Sequence, residues 1–484
     1  MSERVLIRRA DFIVGYREEE GHVYLKGADL AFSGDTLEFV GHRYTGQADR
    51  VIDGRGYLVI PGLISTHSHL QTASQGKGFL EDEGSHPFYM SGLFEYLPAL
   101  RADRPEWWPT FFAHSLIELL TSGCTTVLDM SPYSDEVIRL IGESGIRAYL
   151  SRGFRSGEWY TPDGHDLKYR WYENDGLDLL EEAVEFVQAH DGKYEGKLRC
   201  LLTPLQVDTS SPRLLERARQ EAGRLGVKMQ IHASQSVPEF MEMIRRTGMT
   251  PIQYLHSLDL LGPDLTIGHC IFVAEHSWIN YRGFRDLPVL AETGTSVAHC
   301  PWVFFRRGML LESLPRYRNL GINVALGTDT YPLDMMEEMR WAALGAKIVE
   351  RDTTTGTAAQ AFEAATLGGA RALGREDLGR LAPGARADLV MVNLNQLPMR
   401  PVRDPLKSLI YTATSRPVDT VIVAGQTVVR EGRVLTVDWD RYDRHLQPLS
   451  ERLWSRVPER DWAGREADEL SPLSLPVIEE KGTS

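Results

Sequence analysis

Cysteine is scarce in this chain. Four occur in 484 residues, Cys124, Cys200, Cys270 and Cys300, and no two have CxxC spacing. Each lies at or inside an apolar segment, which excludes a disulfide framework or a cysteine-rich zinc module and reads as buried thiols. Positive charge is also short: 53 Lys and Arg against 67 Asp and Glu leave a formal net charge of -14. Phosphate contacts need clustered Lys and Arg, so a nucleic-acid partner is not expected. No apolar run is long enough to span a membrane, and Met1-Ser2-Glu3-Arg4-Val5-Leu6-Ile7 is too short an apolar run for a signal peptide. A cytoplasmic protein without a membrane partner is the expectation. Internal repeats and low-complexity tracts are absent. Hydrophobic residues at 42% and charged residues at 25% are ordinary for a soluble globular chain. The length suits one large domain with a smaller one beside it.

The patterning divides the chain. Short β-rich runs at 5–7, 12–14, 23–25, 29–32 and 37–40 are separated by Gly, Asp and Glu, without helical periodicity. From residue 63 to 382 strands alternate with amphipathic helices. Strands are expected at 125–130, 146–152, 198–204, 228–232, 265–269, 296–299 and 323–329, with helices at 108–120, 176–189, 212–225 and 337–348. With the strand that leads into His67, this makes eight strand–helix units, and a closed parallel (β/α)8 TIM barrel of the α/β class fits that count. Short strands return at 388–392, 420–423 and 427–429. We expect residues 1–62 and 383–440 to form one small β-sandwich domain into which the barrel, 63–382, is inserted. Residues 441–484 form a C-terminal extension, with a helix at 446–457 and a disordered tip at 478–484.

The chemistry is concentrated at strand ends. After Pro61-Gly62-Leu63-Ile64-Ser65-Thr66 come His67 and His69, two residues apart and so on one face of a strand. Strand five ends in Gln230-Ile231-His232, strand six in Ile267-Gly268-His269, and strand eight in Gly327-Thr328-Asp329. Any one of these alone has an ordinary explanation: paired surface histidines, a core histidine, a helix-capping aspartate. Placed together at the C-terminal rim of a barrel, histidines and an aspartate supply the N and O ligands that a divalent transition metal takes.

At this point the chain resembles the amidohydrolase superfamily. The resemblance is carried by the His67/His69 pair, the lone histidines 232 and 269, Asp329, and the flanks Val59-Ile60-Pro61-Gly62-Leu63-Ile64 and Gly379-Arg380-Leu381-Ala382-Pro383-Gly384. Val297-Ala298-His299-Cys300-Pro301 is similar to the seventh-strand motif of the cytosine deaminase and triazine hydrolase branch. The resemblance implies that His67, His69, His232 and Asp329 bind the metal, and that Asp329 also takes a proton from the attacking water. It implies that His269 polarises that water or the substrate. No lysine stands at 201–206, so one divalent transition metal per subunit is expected. Zinc is favoured, although cobalt, manganese or iron also suit such ligands. A homo-oligomer, dimer or tetramer, is usual in the family.

The departures from the pattern bear on the substrate. Deaminases of this branch read HxxE after strand five; here the sequence is His232-Ala233-Ser234-Gln235. Gln235 can position a substrate but cannot shuttle a proton, while Glu239 is a candidate replacement acid. The loops carry Phe88, Tyr89, Trp302, Phe304 and Tyr331, which suggests an apolar substrate pocket. The expectation is a metal-dependent hydrolase of a hydrophobic small-molecule amide, urea or (thio)carbamate, cleaving a C–N or C–S bond. On this reading the chain is similar to phenylurea and thiocarbamate (molinate-type) hydrolases of xenobiotic degradation. The alternative is an aminohydrolase or dechlorinase of an aromatic N-heterocycle; a non-catalytic binding protein on an inactivated barrel is disfavoured by the retained ligand set.

Overall fold

The computed structural model describes residues 3–413 and 416–478. Among them the eight expected parallel strands are present: β1 Leu63–Ser65, β2 Cys124–Asp129, β3 Arg147–Leu150, β4 Leu198–Cys200, β5 Met229–Ala233, β6 Leu265–His269, β7 Ser296–His299 and β8 Val324–Leu326. Parallel ladders join β1 through β4 and β5 through β8. Two seams close the cylinder. Leu202 bridges Met229 and Gln206 bridges His232 in parallel sense, and the Thr66 N–H donates to the Leu326 carbonyl at 2.9 Å while Ser68 bridges Asp329. A barrel follows because strands buried on both faces, such as β5 and β6, leave no solvated side for an open sheet.

Helices cover the outside: α1 Trp108–Thr121, α2 Asp135–Ser144, α3 Leu177–His190, α4 Pro212–Leu225, α5 Val237–Thr247, α6 Asp286–Thr293, α7 Pro301–Phe305 and α8 Met335–Glu350. α4 illustrates why they form where they do. The Ser211 hydroxyl accepts the Leu214 N–H, Pro212 occupies the first turn, and Gly226 ends the helix at φ 68°, the conformation that favours glycine. Its buried stripe is Leu214, Leu215, Ala218 and Ala222. Burying a leucine side chain of this kind stabilises the fold by about 1.5–3 kcal/mol.

The two ends of the chain meet in one nine-stranded sheet, where Tyr57–Pro61 pairs antiparallel with Leu389–Asn393. The N-terminal strands are longer than the sequence pattern suggested. Arg4–Arg17 and Gly21–Ser33 each run through two of the expected short strands, because a bulge between Ile7 and Ala10, with Arg9 at φ 56°, takes up the polar interruption without breaking the pairing. This sheet is tied to the barrel by a buried ion pair, in which the Arg147 guanidinium on β3 donates to Asp388 at 2.6 and 3.1 Å.

Other sequence expectations change. A hairpin, Gly157–Tyr160 with Lys168–Trp171, rises between β3 and α3 and has no counterpart in the sequence reading. The C-terminal helix, α9, spans Trp439–Trp454 rather than 446–457, starting at an Asp438 cap. Of the tip read as disordered, residues 479–484 lie outside the described residues. No helix among the described residues is long and apolar enough to cross a membrane.

Candidate metal centre

β5 shows how the barrel builds the site. Gln230 and His232 alternate with Ile231 and Ala233, so both polar side chains point to the barrel axis. His232 lies at the rim and Gln230 one layer below. There the Gln230 amide donates to the Thr66 carbonyl at 2.9 Å, which leaves its oxygen to accept the His67 Nδ1–H at 2.7 Å. His69 gives its Nδ1–H to the Met130 carbonyl at 3.1 Å, and His232 gives its own to the Leu205 carbonyl at 2.5 Å. In each ring an oxygen that can only accept fixes the proton on Nδ1, so each Nε2 presents a lone pair to the interior.

Those lone pairs converge. The His69 and His232 Nε2 atoms are 3.2 Å apart. Asp329 Oδ1 is 3.6 Å from His69 Nε2 and 3.9 Å from His67 Nε2, and Oδ2 is 3.9 Å from His269 Nε2. The groups His67, His232, His269 and His67, His69, Asp329 each bring one ligand atom per residue within 4.8 Å of one another. His67 Nε2 and both ring nitrogens of His269 are buried without a hydrogen-bond partner. Burial holds His67 down to about 3 and pushes His232 and His269 well below the usual imidazole range, so the rings are neutral and able to donate electron pairs. Neutral nitrogens facing each other with no proton between them repel; a divalent cation is the partner this donor set fits.

The backbone pays a local cost to make this cluster. Ser234, His269, Cys270 and Asp329 sit at φ 56°, 77°, 50° and 53°, the left-handed region that non-glycine residues rarely hold except at functional sites. Gly327 is required by space: a Cβ there would lie 2.8 Å from His67 Cβ and 2.9 Å from its backbone nitrogen.

The remaining predicted site residues divide. Phe304 is at the cluster, its ring edge-on to His269 at 4.6 Å between centroids. Gln235, two residues after β5, is buried, and its side-chain oxygen has no partner. Glu239 does not join the cluster. Its carboxylate accepts the Ser234 N–H at 2.6 Å and the Gln235 N–H at 3.0 Å, so it clamps the loop that carries Gln235. The aromatic pocket is corrected in part. Tyr89 is 53% exposed on a left-handed turn. Phe88 packs against Phe94, which meets Trp159 of the hairpin. Tyr331 packs with Phe79, Tyr96, Val457 and Leu470, so much of the aromatic density holds the C-terminal extension onto the barrel. The Trp302 ring lies against Trp341, tilted by 37° with centroids 4.8 Å apart.

Four contributors escaped the sequence reading. Gln230 was legible as the residue two before His232 on the same strand face. Asp129, at the end of β2, accepts the Leu70 N–H at 2.7 Å and is pushed up to about 6 by burial; it fixes the chain just after His69. Glu338 on α8 accepts the Trp302 N–H at 3.1 Å while its other oxygen is buried without a partner. Arg307 stands near Asp329. The last two depend on long-range packing that spacing does not report.

Comparison with known proteins agrees with this geometry. The chain is 30% identical over 427 residues to a 5-methylthioadenosine/S-adenosylhomocysteine deaminase of Desulfitobacterium hafniense (strain Y51), covering 87% of this chain and 92% of that protein. It is 30% identical over 465 residues to a 5'-deoxyadenosine deaminase of Methanothermobacter thermautotrophicus, covering 93% and 98%. Among solved structures, a triazine hydrolase variant matches with TM-score 0.78 at 24% identity, covering 93% of this chain and 99% of that one. An adenosine deaminase from Xanthomonas campestris with bound zinc matches with TM-score 0.77 at 25% identity, covering 93% and 98%. Residues 58–428 match the model of the Amidohydrolase family, and the chain is a member of that family, a metal-dependent hydrolase.

Proposed function

We propose that this chain hydrolyses an exocyclic bond at an electron-poor carbon of an aromatic N-heterocycle, releasing ammonia or another small leaving group. The observation that carries the reading is the neutral histidine cluster with Asp329 at the barrel rim, in a chain whose full-length relatives are named as deaminases of adenine nucleosides. This replaces the amide and thiocarbamate reading as the first choice.

His67, His69, His232 and Asp329 would hold one divalent ion, with His269 beside it. Such an ion lowers the pKa of a water to about 7 and so supplies a nucleophile at neutral pH. Asp329, within 4 Å of three histidines, accepts the proton that the water loses. His269, neutral and unpartnered at both nitrogens, orients the water or the ring nitrogen that gains electron density during attack. Phe304 packs on His269 and keeps bulk solvent from that side, which strengthens each polar contact inside. The Gln235 amide positions the ring edge.

A second reading rests on Gln235 alone. Without a carboxyl group at that position, leaving groups that depart without a proton, such as thiolate or halide, are favoured over amines, and a thiocarbamate or chlorinated substrate meets that condition. A panel of adenine nucleosides, amino- and chloro-triazines, ureas, anilides and thiocarbamates, assayed for ammonia, chloride and thiol, decides. Ammonia or chloride from the heterocycles is expected. Turnover confined to the acyl compounds would overturn the proposal. Gln235→Glu should raise kcat for amine leaving groups and leave chloride release unchanged.

A further inference from the structure

Arg307 is a part-buried cation without an anion. It lies in the turn that follows α7, three residues after Phe304, whose ring packs onto His269, and its backbone N–H bonds the Phe304 carbonyl at 2.9 Å. Among the described residues no hydrogen bond or ion pair is made by its guanidinium. Its electrostatic neighbours are Arg306, Tyr331, Asp329 and Glu81, and none of the acids is free to neutralise it. Asp329 belongs to the histidine cluster and its charge is committed there. Glu81 lies 3.5 Å from Arg306.

Arg306 intensifies the imbalance. It stacks over the Tyr331 ring at 3.9 Å, its Nε is buried without a partner, and so is the Tyr331 hydroxyl. The two loops after β7 and β8 therefore present adjacent guanidinium groups and an unpartnered phenol beside the reacting centre. A part-buried guanidinium without a counter-ion has given up part of its hydration without compensation. Burial and the neighbouring Arg306 push the Arg307 guanidinium below its ordinary value, which has the same origin. In a chain with net charge -14, two adjacent guanidinium groups sharing one carboxylate, Glu81, are a local feature rather than a property of the surface.

We infer that Arg307, with Arg306 beside it, receives a planar oxyanion of the substrate, so that the substrate is a heterocycle bearing a carboxylate group. A guanidinium fork matches a carboxylate with two parallel N–H···O bonds, which a lysine or a neutral amide cannot reproduce. The heterocycle part of this statement rests on the proposed function; the carboxylate part rests on Arg307.

Equilibrium binding separates the two. Aminonicotinate and aminonicotinamide form one probe pair, aminopyrazinecarboxylate and aminopyrazinecarboxamide a second, each with the same ring and differing in charge. Calorimetric titration of the zinc-loaded protein should show each carboxylate bound about tenfold or more tightly than its carboxamide. The preference should fall to within about twofold in Arg307→Gln and be partly retained in Arg307→Lys, which keeps the charge and loses the fork. Equal binding of the two members, including no detectable binding of either, overturns the inference, as does a preference that survives in Arg307→Gln. Ring hydrolysis without a carboxylate preference would leave the proposed function standing; a carboxylate preference without hydrolysis of any heterocycle would do the reverse.

Discussion

The Nε2 atoms of His69 and His232 lie 3.2 Å apart at the barrel rim. Each has committed its Nδ1–H to a main-chain carbonyl, Met130 for His69 and Leu205 for His232. With Nδ1–H on both rings, two lone pairs face each other at that separation, an arrangement that a cation beside them stabilises, and the second-strand and fourth-strand loops that supply the carbonyls are what set the geometry.

Gln230 is the side-chain counterpart of those carbonyls. It orients His67 through Oε1 and is itself oriented by Thr66. Gln230→Leu should leave the fold in place and weaken metal affinity about 10–100-fold, the usual effect of removing a group that orients a ligand. Competition against a chelator of known affinity measures it; an unchanged affinity would mean that packing alone orients His67.

Asp329 is assigned both to the ion and to the proton of the attacking water. Asp329→Asn keeps the shape and one acceptor oxygen but cannot take a proton, so kcat should fall by about 10²–10⁴. Near-normal kcat in protein that retains its metal would place the proton acceptor elsewhere, with Glu338, buried and half-unpartnered, the next residue to test.

The Arg147–Asp388 pair joins the barrel to the terminal sheet, and both side chains are 4% exposed. Asp388 also accepts the Ala424 N–H at 2.7 Å. Asp388→Asn leaves the guanidinium buried without its counter-charge and should cost about 3–5 kcal/mol, read as a lowered midpoint in chemical denaturation. A loss below about 1 kcal/mol would show that water reaches Arg147.

His22 gives a pH dependence separate from the metal. Burial lowers it from 6.5 to about 4, beside Thr366 and Phe362. Between those values the unfolded chain takes up a proton that the folded chain refuses. Its contribution to stability is therefore fully present above pH 6.5 and lost as pH falls toward 4. His22→Leu should flatten the fall in denaturation midpoint between pH 7 and about pH 4.5. An identical slope in the variant would refute the assignment.

Much of the site was legible because its residues end strands. The period of two that pairs His67 with His69 also pairs Gln230 with His232, and the alternation of strand and helix sets all of them on one rim. What the sequence pattern did not reveal depends on partners remote in the chain. Glu239 has the right spacing for an acid, yet its carboxylate turns back onto the Ser234 and Gln235 amides, a choice made by the loop and the Ser236 cap. Tyr331 read as a pocket residue, but Val457 and Leu470 arrive from the far end of the chain to cover it. Four of the five short N-terminal strands merged into two longer ones because a bulge tolerates a polar interruption that a simple alternation count treats as an end.

The most direct test of the metal centre is metal stoichiometry with activity. Elemental analysis of the purified protein, before and after dialysis against a chelator and after adding back zinc, should give about one divalent ion per chain, lost together with turnover and restored with it. Full turnover by protein that carries no divalent ion would contradict the account.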